Sequence, residues 1–217
     1  MSGKYNTLDD LPRTVDIFPL TGVLLLPRGQ LPLNVYEPRY LALVDTALAG
    51  KRLIGLIQPT LHEDKSLTPP LNAIGCAGRL TGFRESDDGR YLITLTGICR
   101  FRVTEEIETP TPYRRVRADF APFVGDLKEA DESNFPRDRL LAALRDYLAR
   151  RDLQADWKSV LGAPPETLVN ALAMLCPFEP AEKQALLEAP GWDERVDTLV
   201  ALLEMDNAGP QGPASVN

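Results

Sequence analysis

The chain has 217 residues, of which 44% are hydrophobic and 25% are charged, a balance typical of soluble globular proteins. Its charged N-terminus lacks the apolar core of a secretory signal, and no stretch approaches the roughly 18 apolar residues of a membrane span, so we expect a cytoplasmic protein. The net charge of −7 is uneven, with 15 basic and 13 acidic residues through Arg117, but 9 and 18 from Ala118 onward. This break predicts two structural units, and the acidic second half disfavours nucleic acid as a partner.

Six segments in the first half of the chain have the composition and alternation of β-strands. They are residues 15–20, 31–35, 52–59, 74–86, 90–103 and 113–123. The fourth and fifth segments are joined by residues 87–89, which predict a hairpin turn with a glycine at its end. Gly78, Gly82 and Gly97 predict bulges that let a small sheet curl. We therefore expect a barrel-like β domain over residues 1–123.

One helix is predicted between the second and third strands, in EPRYLALVDTALAG. Proline is favoured at the first helical position, so Pro38 places Glu37 at the N-cap, and Gly50 sits where a left-handed C-cap is expected. The predicted apolar stripe consists of Tyr40, Leu41, Val44 and Leu48. A catalytic alternative would use Glu37 as acid or base and Arg39 as an anion clamp, but residues two apart on a helix point in different directions. We interpret this corner as structural.

After Pro122 the apolar spacing changes to three and four residues, which predicts helices. Ser133 is the expected cap of the first helix. The predicted stripes are Leu140, Leu141, Leu144, Tyr147 and Leu148; Leu168, Val169, Leu172 and Leu175; and Val196, Leu199, Val200 and Leu203. We expect a bundle of four or five amphipathic helices over residues 124–206, and a disordered tail, rich in glycine and proline, over residues 207–217.

Candidate reactive residues are few. Cys76, Cys99 and Cys176 form no CxxC pair, which favours reduced, packed thiols over a disulfide framework or a zinc site. His62 is the only histidine, and neither a GxSxG elbow nor a second ligand cluster accompanies it or the two acidic residues that follow it. We therefore expect no catalytic residue, no metal and no cofactor, which disfavours a small hydrolase.

A hydrophobic surface is one candidate binding site. Leu24, Leu25 and Leu26 lie in a turn-rich region, and with Leu31 and Tyr36 they would form an apolar patch suited to an extended polypeptide. The alternative is that the leucine triplet is buried in the core.

A basic surface is the rival candidate. Arg100, Arg102, Arg115 and Arg117 are predicted to point outward from strands, and on neighbouring strands they would form a stripe for RNA. Aromatic residues, which stack on bases, do not alternate with these arginines. The alternative is that the arginines form salt bridges with the carboxylates of the acidic half.

Three blocks of the sequence together carry a family resemblance. They are IFPLTGVLLLPRGQLPLNVYEPRY, IGCAGRLTGFRESDDGRYLITLTGICRFRV and CPFEPAEKQALLEAPGWDERVDTLVALLE. In this order and spacing, from about Val15 to Met205, the chain resembles the N-terminal substrate-binding domain of Lon-type ATP-dependent proteases. The resemblance implies an α+β fold, a PUA-like β pseudobarrel followed by a helical bundle. It also implies a domain that engages unfolded or tagged polypeptides, helps to assemble the oligomer and performs no chemistry.

The sequence departs from a complete protease of that family. A Walker A motif, GxxxxGK[ST], is absent from the 217 residues, and the peptidase domain that would follow Met205 is absent too. We therefore expect a standalone copy of the binding domain that works without ATP. The predicted function is non-enzymatic binding of unfolded polypeptides or a partner protein, or an adaptor role in proteolysis, with RNA binding as the alternative.

Overall fold

The computed structural model describes residues 5–60 and 68–206, and within them the chain forms six strands and six α-helices. The strands are β1 Thr14–Pro19, β2 Gln30–Val35, β3 Leu53–Ile57, β4 Ile74–Glu85, β5 Tyr91–Ile107 and β6 Arg114–Asp119. The helices are α1 Pro38–Ala49, α2 Arg137–Arg150, α3 Trp157–Gly162, α4 Pro165–Leu175, α5 Pro180–Glu188 and α6 Trp192–Asp206. Short 3-10 helices span Leu8–Asp10 and Ala121–Leu127. The predicted α+β class, with strands first and helices after, is confirmed.

The sheet closes on itself through its longest strand. Its order is β2-β5-β4-β3-β1-β6, and β5 also pairs with β6, so that five of the six strands form a ring. The first part of β5 pairs with β2, which lies at an open edge and carries Pro32, a residue that interior strands rarely tolerate. The β4–β5 turn contains Gly89 at φ +78°. The predicted hairpin and barrel-like closure are both present.

Glycines permit the curvature of this ring. The β4–β5 register shifts between Ala77 and Gly78 and again between Leu80 and Gly82. At Gly97 the backbone of another segment lies very close, because a Cβ at this position would be 2.0 Å from the carbonyl oxygen of Leu26. The predicted bulges are therefore real, and the segment after β1 passes directly against the sheet at Gly97.

The start of α1 follows the prediction and its end does not. Pro38 is the first helical residue and Glu37 occupies the N-cap. The fully buried residues of α1 are Tyr40, Leu43, Val44 and Ala47. Leu41 and Leu48 are only partly buried. The predicted left-handed cap at Gly50 is wrong, since Gly50 has φ −113° and Arg52 takes the left-handed conformation at φ 59°.

Two apolar clusters form the core. The smaller one fills part of the barrel with residues such as Ile17, Phe101 and Val116. The larger one combines the segment after β1 and helix α1 with residues from α2, α4, α5 and α6. Because this larger cluster includes both sheet-side and helical residues, the division of the chain at residues 123 and 124 remains a proposal.

Helix α2 begins later than predicted. Pro136 occupies its N-cap position, and the backbone N–H of Ser133 donates to Asp131 in the preceding turn, so the predicted cap at Ser133 is wrong. The physical reason is that a residue before proline, here Phe135, is disfavoured from helical backbone angles. The loop with His62 and the predicted tail at residues 207–217 lie outside the described residues. Within residues 5–60 and 68–206, no helix is long and apolar enough to cross a membrane.

Candidate functional site

The leucine triplet after β1 is part of the core. Leu24, Leu25 and Leu26 are 2%, 1% and 0% exposed. The structure therefore supports the core alternative and not an exposed patch at these three residues, because they pack between the sheet and the helices. Leu31 is partly buried, whereas Tyr36, just after β2, is 64% exposed.

The four arginines of the rival hypothesis do not form an open stripe. Arg115 is paired with Asp16, and Arg117 with Glu105 at 3.0 Å. Arg102 is exposed on β5. The alternative of salt bridges with the acidic half holds for Arg100, which pairs with Asp126, and not for Arg115 and Arg117, whose partners belong to β1 and β5. The stripe is interrupted by acidic groups along its length.

Arg100 points outward from its strand as predicted, but it is buried and is not available for an RNA-binding stripe. Its side chain is 3% exposed and forms a two-bond ion pair with Asp126, with Nε and Nη2 each 2.8 Å from a carboxylate oxygen. Nη1 donates to the carbonyl oxygens of Leu187 and Ala189. Strand alternation places Arg100 correctly on the outer face, but the 3-10 helix Ala121–Leu127 and the end of α5 cover that face.

The corner at the start of α1, formed by Glu37, Pro38 and Arg39, makes contacts that stabilise the fold. Glu37 and Arg39 form an ion pair at 2.9 Å, and the Arg39 guanidinium lies 4.4 Å from the ring centre of Tyr40. Tyr40 packs in turn on Phe18, with ring centres 4.1 Å apart. These contacts dock the start of α1 on β1, in agreement with the structural interpretation.

The three cysteines are free and buried, as the sequence predicts. Burial raises the pKa of Cys99 to about 12 and that of Cys176 to about 11. The pKa of Cys76 is also raised by burial. Because the thiolate is the nucleophilic form, none of the three is suited to covalent catalysis at neutral pH.

Helix α4 has a broad apolar face of which only part is buried. On the buried part, Asn170 donates to the carbonyl oxygen of Pro27 at 2.9 Å. The stripe that begins at the buried Leu168 continues with Leu172, which is partly buried, and Leu175, which is 80% exposed. The predicted stripe of α4 therefore included a residue that lies outside the core. An apolar stripe on a helix normally faces the core along its whole length, so the end of this stripe at Leu175 is left uncovered.

The uncovered part of α4 forms the floor of an open cavity of about 710 Å³, which we name the α4 groove. Its walls come from α2, the connection that follows α2, and α3. The main apolar residues of the lining are Leu144, Leu148, Leu153, Val160, Leu172 and Leu175. This volume is within the range of about 300 to 1,000 Å³ that is usual for ligand sites, and it can hold several side chains of an extended segment.

Helix α3 forms one wall of the groove and has no buried residue of its own. It is held by polar contacts, since Asp156 accepts hydrogen bonds from the backbone of Lys158 and from the Ser159 hydroxyl. The Arg145 guanidinium lies 5.1 Å from the ring centre of Trp157. Trp157 and Val160 also pack against the core, so the shape of the groove depends on a short helix that is held by both surface and core contacts.

The lining of the groove is mainly apolar. Its titratable lining groups are Asp156, whose pKa is lowered mainly by the Ser159 hydroxyl, and Cys176, whose thiol stays protonated at neutral pH. Within the part of the chain that the structure describes, no group of three or more His, Cys, Asp or Glu residues could hold a metal ion. Sequence reasoning missed this site because it assigned Leu175 to the core and gave Leu153 no role.

Comparison with known proteins identifies relatives along most of the chain. It is 34% identical over 129 residues to a Lon protease of Desulfosudis oleivorans, a match that covers 58% of this chain and 15% of that protein. It is 25% identical over 212 residues to a Lon protease of Roseiflexus castenholzii, covering 95% of this chain and 26% of that protein. The chain thus spans about a quarter or less of the length of these relatives.

Two solved structures share the fold. A Lon N-terminal domain protein from Xanthomonas campestris superimposes with a TM-score of 0.57 at 23% identity, over 87% of this chain and 97% of that one. The N-terminal domain of a Mycobacterium avium complex Lon protease gives a TM-score of 0.60 at 17% identity, over 88% and 98%. The family model of the ATP-dependent protease La (LON) substrate-binding domain matches residues 14–205. The chain therefore belongs to the LON substrate-binding domain family.

Proposed function

We propose that this chain is a non-catalytic module that binds apolar segments of polypeptide substrates in the α4 groove. One observation carries the proposal: Leu175 is 80% exposed at the end of an apolar stripe that begins at the buried Leu168, and it lines an apolar cavity of about 710 Å³. Membership of a substrate-binding family supports a role in binding protein substrates. The finer roles, recognition of unfolded chains and an adaptor role in proteolysis, are part of the proposal.

The proposed mechanism needs neither nucleotide nor a covalent step. Burial of one leucine-sized side chain contributes about 1.5 to 3 kcal/mol, so two or three anchors in the groove supply roughly 3 to 9 kcal/mol before the cost of ordering the segment. After that cost the expected affinity is weak, no tighter than about micromolar. Such affinity suits a receptor that must sample and release many sequences.

Fluorescence anisotropy with a labelled 15-residue peptide that carries leucine and phenylalanine anchors tests this function. Leu175→Ser is expected to weaken binding about tenfold, because it removes roughly 1.4 kcal/mol of apolar contact. The matched control is Leu161→Ser, at a residue that is 53% exposed on α3 but does not line the groove. The control is expected to bind within twofold of the natural sequence. Equal affinity of all three proteins would contradict the proposed site.

A peptide with serine at each anchor position separates the site from the function. Weak binding of this peptide by the natural protein supports apolar recognition. Equal binding of both peptides would contradict it. If the protein prefers the apolar peptide but Leu175→Ser binds it with unchanged affinity, the protein binds polypeptides at another surface.

A further inference from the structure

A second cavity, of about 200 Å³, lies where the sheet meets the helical half, and we name it the Arg195 cavity. Its charged lining residues are Arg28, Arg100, Asp126, Lys128, Glu166 and Arg195. Gly191 and Trp192 at the start of α6 also line it. Four basic groups therefore face two acidic groups in a small, partly open volume, which shares no lining residue with the α4 groove.

The two carboxylates of this cavity are already engaged. Asp126 accepts two hydrogen bonds from the Arg100 guanidinium, each 2.8 Å long. Glu166 is paired with Arg28, whose Nε is 2.7 Å from a carboxylate oxygen. Each acidic group is thus matched by one basic group. The positive charge of Arg195 and Lys128 is left without an acidic group in the lining of the cavity.

Arg195 is the most unusual member of the set. It is 4% exposed, and its Nε donates to the carbonyl oxygen of Leu186 at 3.2 Å. Its Nη2 has no hydrogen-bond partner among the described residues. A buried guanidinium with an unused donor is costly, and buried charges in proteins are normally paired. Burial, together with repulsion from Arg100, lowers the pKa of Arg195 to about 10.

The start of α6 adds a second attraction for a negative group. This helix has 15 residues, and its first residues line the same cavity as Arg195. The N-terminus of an α-helix presents unpaired N–H groups and the positive end of the helix dipole, an arrangement that favours anions. Asp193 and Glu194 lie in the first turn of α6, so an anion bound here shares the helix terminus with these two carboxylates. The orphaned donor of Arg195 and the helix terminus therefore meet at one place.

We propose that the Arg195 cavity binds a small oxyanion of phosphate size, held by Arg195, Lys128 and the N-terminus of α6. Its volume of about 200 Å³ is below the 300 Å³ or more that drug-sized ligands occupy, which favours a single phosphate group over a nucleotide. The bound anion supplies the missing partner of Arg195.

Isothermal titration with sodium phosphate, at constant ionic strength against sodium chloride, tests the proposal. The natural protein is expected to bind one phosphate with a saturable signal. Arg195→Met, which removes the charge and keeps an apolar stem, is expected to weaken binding at least tenfold. Lys128→Gln, at an exposed position, is expected to weaken it about threefold to tenfold. Arg139→Gln, which breaks an exposed pair with Glu204 outside the cavity, is the control and should bind as the natural protein does.

Thermal unfolding provides a second readout, which does not depend on the enthalpy of phosphate binding. At ten times the dissociation constant, bound phosphate should raise the melting temperature by about 3 to 5 °C in the natural protein and in Arg139→Gln. Phosphate also stabilises proteins generally by exclusion from their surfaces, so the quantity that matters is the difference from Arg195→Met at equal phosphate. Phenyl phosphate as a second ligand separates free phosphate from a phosphate ester, and binding of either supports the site. Absence of saturable binding, or equal binding by Arg195→Met, would overturn it.

Discussion

Arg100 of β5 and Asp126 of the following 3-10 helix form a buried ion pair whose two hydrogen bonds are each 2.8 Å long. The two residues are 3% and 7% exposed. Arg100 also donates to carbonyl oxygens at the end of α5. This side chain therefore ties the barrel, the connecting segment and the helical half together at one point.

Asp126→Ala should destabilise the protein by about 3 to 5 kcal/mol, because it leaves the Arg100 charge buried without its partner. Chemical denaturation measures the change in unfolding free energy. The matched control is Arg117→Ala, which breaks a pair with Glu105 whose two side chains are more than half exposed, and should cost less than about 1 kcal/mol. Similar losses in both variants would contradict a special role for the Arg100–Asp126 pair.

Gly97→Ala should destabilise the protein by more than about 2 kcal/mol. A Cβ at Gly97 would lie 2.0 Å from the carbonyl oxygen of Leu26, so either β5 or the segment after β1 must move. Gly125→Ala is the control, since a Cβ there meets nothing within 4 Å. Urea denaturation of both variants checks the prediction, which fails if Gly97→Ala is as stable as Gly125→Ala.

Glu37→Ala should lower the melting temperature by no more than about 4 °C. The substitution removes a partly exposed ion pair with Arg39 and a negative charge at the positive end of α1, which together contribute about 1 kcal/mol. Peptide binding in the α4 groove should be unchanged. A variant that kept its stability but lost peptide binding would show that this corner has a functional and not a structural role.

The cysteine thiols should make the protein less stable at alkaline pH. Burial raises the pKa of Cys99 to about 12 and that of Cys176 to about 11, whereas a thiol in the unfolded chain has its ordinary pKa near 9.0. Above pH 9 the unfolded chain loses protons that the folded chain keeps. The contribution of these thiols is therefore complete below pH 9 and is lost as the pH rises through about 11 and 12.

Chemical denaturation between pH 8 and pH 11 measures this dependence. Cys99→Ala should flatten the fall in unfolding free energy over this range, after its own loss of packing is allowed for at pH 8. Thiol reagents at pH 8 should label the native protein only slowly and the unfolded protein at once. Rapid labelling of Cys99 or Cys176 in the native state would contradict their burial.

Most of the architecture could be predicted because its signals are local. Alternation along residues 90–103, the glycine at position 89 and the proline at position 38 each determine a feature through their near neighbours in the chain. The strands, the hairpin and the start of α1 follow from such signals. The errors at Ser133 and Gly50 lie at helix ends, where competing backbone preferences of a few residues decide the boundary.

The candidate sites could not be predicted in the same way. Alternation placed Arg100 on the outer face of its strand, and nothing in the local pattern indicates that α5 covers this face. The spacing of α4 selected Leu175 as a core residue, but the helix docks through the side that includes Asn170 and Ala173. In both cases the packing of distant elements, and not the residue pattern, decides what is exposed.

Site-specific photo-crosslinking tests the central claim most directly, namely that polypeptides bind in the α4 groove. A photoreactive amino acid is placed at Leu175 in one protein and at Tyr36, beside the open edge of β2, in another, and each is irradiated with the labelled apolar peptide. We predict peptide adducts at position 175, reduced by unlabelled peptide, and few or none at position 36. Adducts at position 36 with none at position 175 would contradict the groove and favour the edge of the sheet.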